Sequence, residues 1–294
     1  MGLFQKCITS DGLVHAVFLD STDIVKEAVR IHKCTPVAAS ALGRLLTGVS
    51  IMGEKLKEDN ASITVRINGG GPIGSLIAVA DSDGNVRGYC QCPELLLSPD
   101  ENGRLDVKGA VGVEGELSVI KDYGVGEPYG ARCPLISGEI AEDLTGYYAT
   151  SEQIPTVFAL GVHFDRLWRV DRAGGLIIQL LPAADEREIV KLERSLAQLP
   201  SLSEMMSSGL SAKEILTKAL DGFEVEFFDE QKASYRCSCS RERVTRALIT
   251  LTPDEIRNLA DESGKAHVEC HFCDKNYSFT QSELDRLADS VAAQ

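Results

Sequence analysis

Cys237-Ser238-Cys239 (C-S-C) and Cys270-His271-Phe272-Cys273 (C-H-F-C) stand thirty residues apart in the last fifth of the chain. Four thiolates complete a tetrahedral ligand set for Zn²⁺ and leave no open position for a substrate. A C-x-x-C half-site is ordinary for structural zinc, whereas a C-x-C half-site is not. Two sulfurs that close on a metal can also close on each other. A disulfide between residues two apart needs a bent, strained backbone, and strain makes the bond easier to reduce again. Two readings follow from this chemistry: a reversible thiol switch built around zinc, or a permanent zinc ribbon that only holds its module together. Arg236, Arg241, Arg243 and Arg246 flank the first pair. Positive charge favours thiolate, although the same arginines also read as a solvated helix face. His267 and His271 are weighed as substitute ligands and set aside, because four thiolates suffice.

Working outward, residues 233–294 form the small module that carries the cysteines. Val244, Ala247, Leu248 and Leu251 give one helical face, and Thr252-Pro253-Asp254-Glu255 opens another helix. His267 to Phe279 reads as a hairpin with the C-x-x-C at its tip. Leu284, Leu287, Ala288 and Val291 mark a final helix. About 60 residues is marginal for an independent core, and a structural metal supplies what the core lacks. Upstream, residues 182–232 read as a linker of short helices. Ile189, Leu192, Leu196 and Leu199 mark one, and Ser201…Glu204 and Ser211…Glu214 are capping boxes for two more. Such short helices do not persist alone in water, so the linker borrows stability from its packing partner, expected to be the metal module. Residues 1–181 read as a large α+β domain. Helices are expected over 23–33 and, from Thr35-Pro36, over 36–57. Ile63, Val65 and Ile67 alternate with polar residues as in a strand. Further strands are expected near 76–80, 86–92, 115–121, 130–136, 155–164 and 174–181, with a helix near 139–152. Strands and helices mix without βαβ alternation, so the fold class is α+β.

A net charge of −14 argues against nucleic acid and against anionic membranes as partners. With 44% hydrophobic and 25% charged residues, the chain is globular. No apolar run is expected to reach the roughly 20 residues of a membrane span. The first residues lack a signal-peptide core, so the protein is expected in the cytoplasm. Nine cysteines in a reducing compartment point to metal or redox chemistry. Gly69-Gly70-Gly71-Pro72-Ile73-Gly74 lacks the ending of a phosphate-binding loop and reads as a turn. Cys90 and Cys92 form a second C-x-C, expected as small buried residues on one strand face. Cys7, Cys34 and Cys133 have no local partner. Glu139, Glu142 and Asp143 gather at a helix start, where the macrodipole favours acids. No nucleophile elbow, metalloprotease helix or kinase signature occurs, and no enzyme is expected.

Y-R-C-S-C-S-R-E-R at 235–243 together with C-H-F-C resembles the redox-regulated thirty-three-kilodalton chaperonin family of bacteria. The likeness extends through G-G-G-P-I-G at 69–74, G-E-L-S-V-I-K-D at 115–122, P-L-I-S-G-E-I-A-E-D at 134–143, S-E-Q-I-P at 151–155 and G-G-L-I-I-Q-L-L-P at 174–182. The resemblance implies a holdase that needs no ATP. It implies one Zn²⁺ per chain on Cys237, Cys239, Cys270 and Cys273 in an inactive, reduced state. It further implies that oxidation pairs Cys237 with Cys239 and Cys270 with Cys273, releases zinc and unfolds the C-terminal region. The protein then binds unfolding clients, commonly as a homodimer. Two other classes compete: a thiol-disulfide oxidoreductase, and a zinc-ribbon docking module fused to an enzyme domain.

Overall fold

Ser21 and Thr35-Pro36 open two helices, α1 (Thr22–His32) and α2 (Pro36–Glu54), in the computed structural model, which describes residues 1–292. Positions 293 and 294, the end of the expected C-terminal module, lie outside the described residues. α2 is buried from Val37 to Gly53 except at Arg44. Small residues fit it there: a Cβ added at Gly53 would lie 2.5 Å from the Asp81 carbonyl oxygen. Two of its buried hydroxyls are satisfied, Thr47 donating to the Gly43 carbonyl at 2.7 Å and Ser50 to the Gly84 carbonyl at 2.5 Å. At mean hydropathy 1.2, α2 is the one described helix long and apolar enough to cross a membrane, and it is 89% buried within the protein. The expectation that no apolar run reaches such a length is corrected here. A helix covered on all sides is apolar all round.

The strands in chain order are β1 (Gly2–Thr9), β2 (Val14–Asp20), β3 (Ser62–Asn68), β4 (Leu76–Asp81), β5 (Val86–Cys90), β6 (Glu116–Asp122), β7 (Tyr129–Pro134), β8 (Thr156–Phe164), β9 (Val170–Leu180), β10 (Val225–Phe227) and β11 (Gln231–Ala233). One antiparallel sheet runs β10-β1-β2-β9-β8, with β11 also on β1; the other runs β5-β4-β3-β6-β7. α2 packs against β4 and β5 of one sheet and β8 and β9 of the other. Two short helices, α3 (Val107–Val111) and α4 (Ala141–Tyr147), complete this layer structure. The result is the α+β fold expected from the sequence.

The first sheet is apolar on both faces. Phe4, Val17 and Leu19 point into the core with α2, while Cys7, Ala16 and Phe18 point the other way. The second face is covered by α5 (Glu186–Leu196), α6 (Leu202–Ser207) and α7 (Ala212–Ala219). The Ser201…Glu204 and Ser211…Glu214 capping boxes form as expected. Leu202, Met205, Met206, Ile215 and Leu216 are buried against that face. The expected packing partner is thereby corrected: the short helices rest on the first sheet, whose outward apolar side chains need a cover.

Beyond α7, β10 and β11 pair with the edge of β1, and the chain then crosses to β5. There the Val86 amide donates to the Ser234 carbonyl at 3.0 Å and the Arg236 amide to the Val86 carbonyl at 2.9 Å. The chain divides into two compact units, Met1–Arg236 and Cys237 onward. The second holds α8 (Arg241–Leu248), α9 (Pro253–Arg257), β12 (Lys265–Glu269), β13 (Asn276–Thr280) and α10 (Gln281–Ala292). Its core is Leu248, Ile256, Ala266, Phe279, Leu284 and Ala288.

Candidate metal centre

β12 and β13 pair from Lys265↔Thr280 to Glu269↔Asn276, which puts C-H-F-C on the connecting turn. The Cys270 carbonyl accepts from the amides of Cys273 at 3.1 Å and Asp274 at 2.8 Å. The Cys270 amide in turn donates to the Lys275 carbonyl at 2.9 Å. This tight turn fixes one pair of thiols. The other pair, Cys237 and Cys239, lies just before α8, whose first turn Ser240 caps by accepting from the Arg243 amide at 3.2 Å.

All four sulfurs lie within 4.8 Å of one another, the one such cluster among the described residues. The Cys237–Cys270 sulfurs are 3.7 Å apart and the Cys239–Cys273 sulfurs 3.3 Å. A tetrahedron with Zn–S bonds of 2.3 Å has sulfur–sulfur edges of about 3.8 Å. The donor set and its spacing therefore fit a four-thiolate zinc site. No disulfide links any cysteine among the described residues.

The electrostatics single out Cys239. Burial pushes its thiol up, but the Tyr277 hydroxyl and the neighbouring thiols donate to it and hold it down at about 7. The Tyr277 hydroxyl donates at 3.1 Å, and giving that hydrogen bond, together with burial, moves its own ionisation up to about 12. Burial raises Cys237 and Cys273. Tyr277 lies four residues past Cys273 on β13, and no spacing rule in the sequence marks it. Two of the flanking arginines, Arg241 and Arg243, have partners other than the thiols. Arg241 stacks over Phe279 at 4.2 Å, donates to the Ser278 carbonyl at 2.7 Å and pairs with Glu283 at 2.8 Å. Arg243 donates to Ser238. His267 faces Ser278 and Asn276, at 3.0 and 3.3 Å, and stands outside the thiol cluster, as does His271.

The remaining motifs of the sequence resolve as structure. Gly71 lies so close to α3 that a Cβ there would sit 2.4 Å from the Ala110 carbonyl oxygen, so the glycine stretch is a packed turn. Asp143 is buried and accepts from the amides of Ile136, Ser137, Gly138 and Ile140, fixing the loop before α4. Glu139 pairs with Arg44 at 2.5 Å. Cys7 and Cys133 are buried, and burial pushes Cys7 up to about 12. Cys90 is buried, but Cys92 is exposed, which corrects the expectation of two buried cysteines. β5 ends at Cys90 and the Cys92 amide turns to the Ile73 carbonyl at 3.1 Å, so strand alternation no longer applies.

The family model described as Hsp33 protein matches residues 3–280. A 33 kDa chaperonin of Clostridioides difficile (strain 630) is 45% identical over 279 residues, covering 95% of this chain and 96% of the relative. The 33 kDa chaperonin of Acetivibrio thermocellus is 41% identical over 289 residues, covering 98% and 97%. The crystal structure of the 33 kDa chaperonin of Thermotoga maritima superimposes with a TM-score of 0.91 at 32% identity, covering 99% of both chains. With whole-length relatives, a shared fold and the paired C-S-C and C-H-F-C half-sites in place, the chain belongs to the Hsp33 protein family.

Proposed function

We propose that this protein is a redox-regulated, ATP-independent holdase that binds unfolding proteins under oxidative stress. The observation that carries the reading is the cluster of four thiols within 4.8 Å, in a chain whose curated relatives are named chaperonins. In the reduced state Cys237, Cys239, Cys270 and Cys273 hold one Zn²⁺. The ion, when bound, cross-links the two half-sites and keeps their sulfurs as thiolates. On oxidation Cys237 pairs with Cys239 and Cys270 with Cys273, each pair of thiolates forming an S–S bond and passing two electrons to the oxidant, with the oxidant's protons drawn from water. All four donors are then withdrawn from the metal.

Sulfurs of different half-sites lie as close as 3.3 and 3.7 Å, so contact alone does not select this pairing. Opening of the module does. Cys237 and Cys239 stay one residue apart when the fold loosens, while the two half-sites separate. The reading assigns residues 1–181 to the core domain, 182–232 to a releasable linker and 233–294 to the switch module. The linker's Met205, Met206, Leu202 and Ile215, and the sheet face beneath them, supply the apolar surface for clients once uncovered. In this reading the protein acts in the cytoplasm, without enzymatic turnover, and as a homodimer when oxidised.

The test is light scattering of a thermally unfolding client, with zinc release followed by a chromophoric indicator. Oxidised protein at near-stoichiometric ratio should suppress aggregation, and reduced zinc-loaded protein should not. Equal suppression in both states, or turnover of a model disulfide substrate in place of suppression, would refute the reading.

A further inference from the structure

The turn that joins β8 to β9 carries a tryptophan where a smaller residue would fit more easily. Asp165 pins this turn. Its carboxylate accepts from the amides of Leu167 at 2.8 Å and Arg169 at 3.0 Å, and its carbonyl accepts from the Trp168 amide at 3.0 Å. Trp168 is thereby held in the left-handed region, at φ 60°, where a bulky side chain is an outlier. Glycine or asparagine would make the same turn with less strain. What tryptophan adds at this position is its ring. That ring is more than half exposed and tilts over Phe164, with 6.4 Å between centroids.

The two rings form one side of a cavity of about 550 Å³, a size common among small-molecule sites. Val29 of α1, Ala39 of α2 and Val170 of β9 give it an apolar floor. The charged groups around it are paired, with one exception. Arg30 forks onto Glu27 at 2.8 and 2.9 Å, Arg169 pairs with Asp165 at 2.7 Å, and the Asp171 carboxylate lies 3.3 Å from His163 Nδ1. Lys26, exposed on α1 one turn before Arg30, is the exception. It acts on Asp23 only through its field, and it makes no hydrogen bond or ion pair with any described residue. One uncommitted ammonium beside an apolar floor matches a ligand with one negative charge on an apolar body. A polyphosphate would leave most of its charge unmatched, facing the Asp165 and Asp171 carboxylates.

We propose that this cavity between α1, the start of α2 and the β8–β9 turn is a binding site for an apolar monocarboxylate, with Lys26 taking the carboxylate and Phe164 and Trp168 holding the body. Burial of the body against the rings and the floor supplies the affinity, and the ammonium fixes which end faces out. An alkyl body and an aromatic one share this chemistry. The site lies wholly within Met1–Arg236, so it stands apart from the metal centre and from the proposed holdase activity.

Trp168 is the only tryptophan, so its fluorescence reports this cavity and nothing else. The experiment titrates the reduced, zinc-loaded, full-length protein with decanoate, with 4-phenylbutyrate and with the uncharged 4-phenylbutanol, following Trp168 emission and the heat of binding. The expected result is a saturable response, one site per chain, to at least one of the two carboxylates; the one that binds more tightly identifies the body the site prefers. Lys26→Gln should weaken that binding about tenfold, and Val29→Phe, which fills the floor, should abolish it. Zinc content and thermal midpoint check that each variant is folded. Lys26→Gln falls on an exposed residue and decides the case alone if Val29→Phe does not fold. The proposal is overturned if neither carboxylate gives a saturable response, if 4-phenylbutanol binds as tightly as 4-phenylbutyrate, or if Lys26→Gln leaves the affinity unchanged.

Discussion

Chelating the metal from the reduced protein is expected to unfold the chain from Cys237 onward and leave Met1–Arg236 folded. The second unit has six buried apolar side chains, a two-stranded sheet and three helices, two of them under nine residues, among the described residues. A hairpin of two strands is marginal alone, and a core of this size rarely supplies more than about 3–5 kcal/mol. A zinc-thiolate site in a small module supplies about 10–16 kcal/mol. Withdrawing the larger contribution leaves too little to order the chain. Hydrogen exchange read by mass spectrometry makes this quantitative. The amides between β12 and β13, at Ala266↔Phe279 and Val268↔Tyr277, should lose at least a thousandfold of protection, the equivalent of about 4 kcal/mol at 1.4 kcal/mol per tenfold. Those between β2 and β9, at Val17↔Ile177, should not change. Equal loss in both units, or retained protection in β12 and β13, would refute the metal-dependent fold.

Tyr277→Phe removes the hydroxyl that donates to Cys239, and zinc affinity should fall on the order of tenfold in competition with a chromophoric chelator; unchanged affinity would exclude Tyr277 from the centre. Ile215→Ala, at a fully buried position under the cover, should cost about 2–5 kcal/mol and let the reduced, zinc-loaded protein suppress client aggregation in part; a variant as silent as the native protein would show that these helices do not mask the client surface. His15 is lowered to about 4 by burial, helped by Lys55 and Lys6. Its folded value lies below the unfolded 6.5, so the unfolded chain binds more protons between those limits. Stability of the first unit is therefore full above pH 6.5 and falls as the pH drops towards 4, by at most about 3 kcal/mol. Urea unfolding followed through Trp168, the only tryptophan, measures it, and His15→Gln should flatten the slope.

The clustering of the four cysteines was legible because their two pairs are local in sequence, and the capping boxes at Ser201 and Ser211 were legible for the same reason. The strand at 62–68 shows clean alternation because Arg66 on one side is exposed. β1 and β2 went unnoticed because α2 covers one face of their sheet and α5–α7 the other. Strands buried on both faces lose the period of two that betrays a strand. The support from Tyr277 is a contact between distant segments, set by register and packing rather than by spacing. The placement of α5–α7 was misjudged for a related reason. Their apolar faces were plain in the sequence, but the matching outward face of the first sheet could be found only once β1 and β2 were recognised.

That placement changes how the proposed metal-centred switch would reach its client surface. The cover over the first sheet is satisfied by side chains of that sheet, such as Phe18, Leu176 and Ile178. The coupling then runs along the chain. Cys237 follows directly on the strap at Ser234–Arg236, which is bonded to Val86 of β5 and continues back into β11 and β10 on the edge of β1. β10 and β11 are three residues each and sit on a sheet edge, so they fray at lower cost than any interior strand. Loss of the ordered module turns Cys237 from an anchored residue into the start of a free tail. Opening can proceed from there through β11 and β10 to α7, the last helix of the cover. The Tyr235 hydroxyl on Gly88 and the Val86 hydrogen bonds are the first contacts in its way. In the proposed switch, release of the linker is thus a second event, downstream of metal loss and opposed by the strap. If the proposed switch holds, an activating oxidation has to remove the module's fold completely, because a module still held closed would leave the strap anchored at both ends.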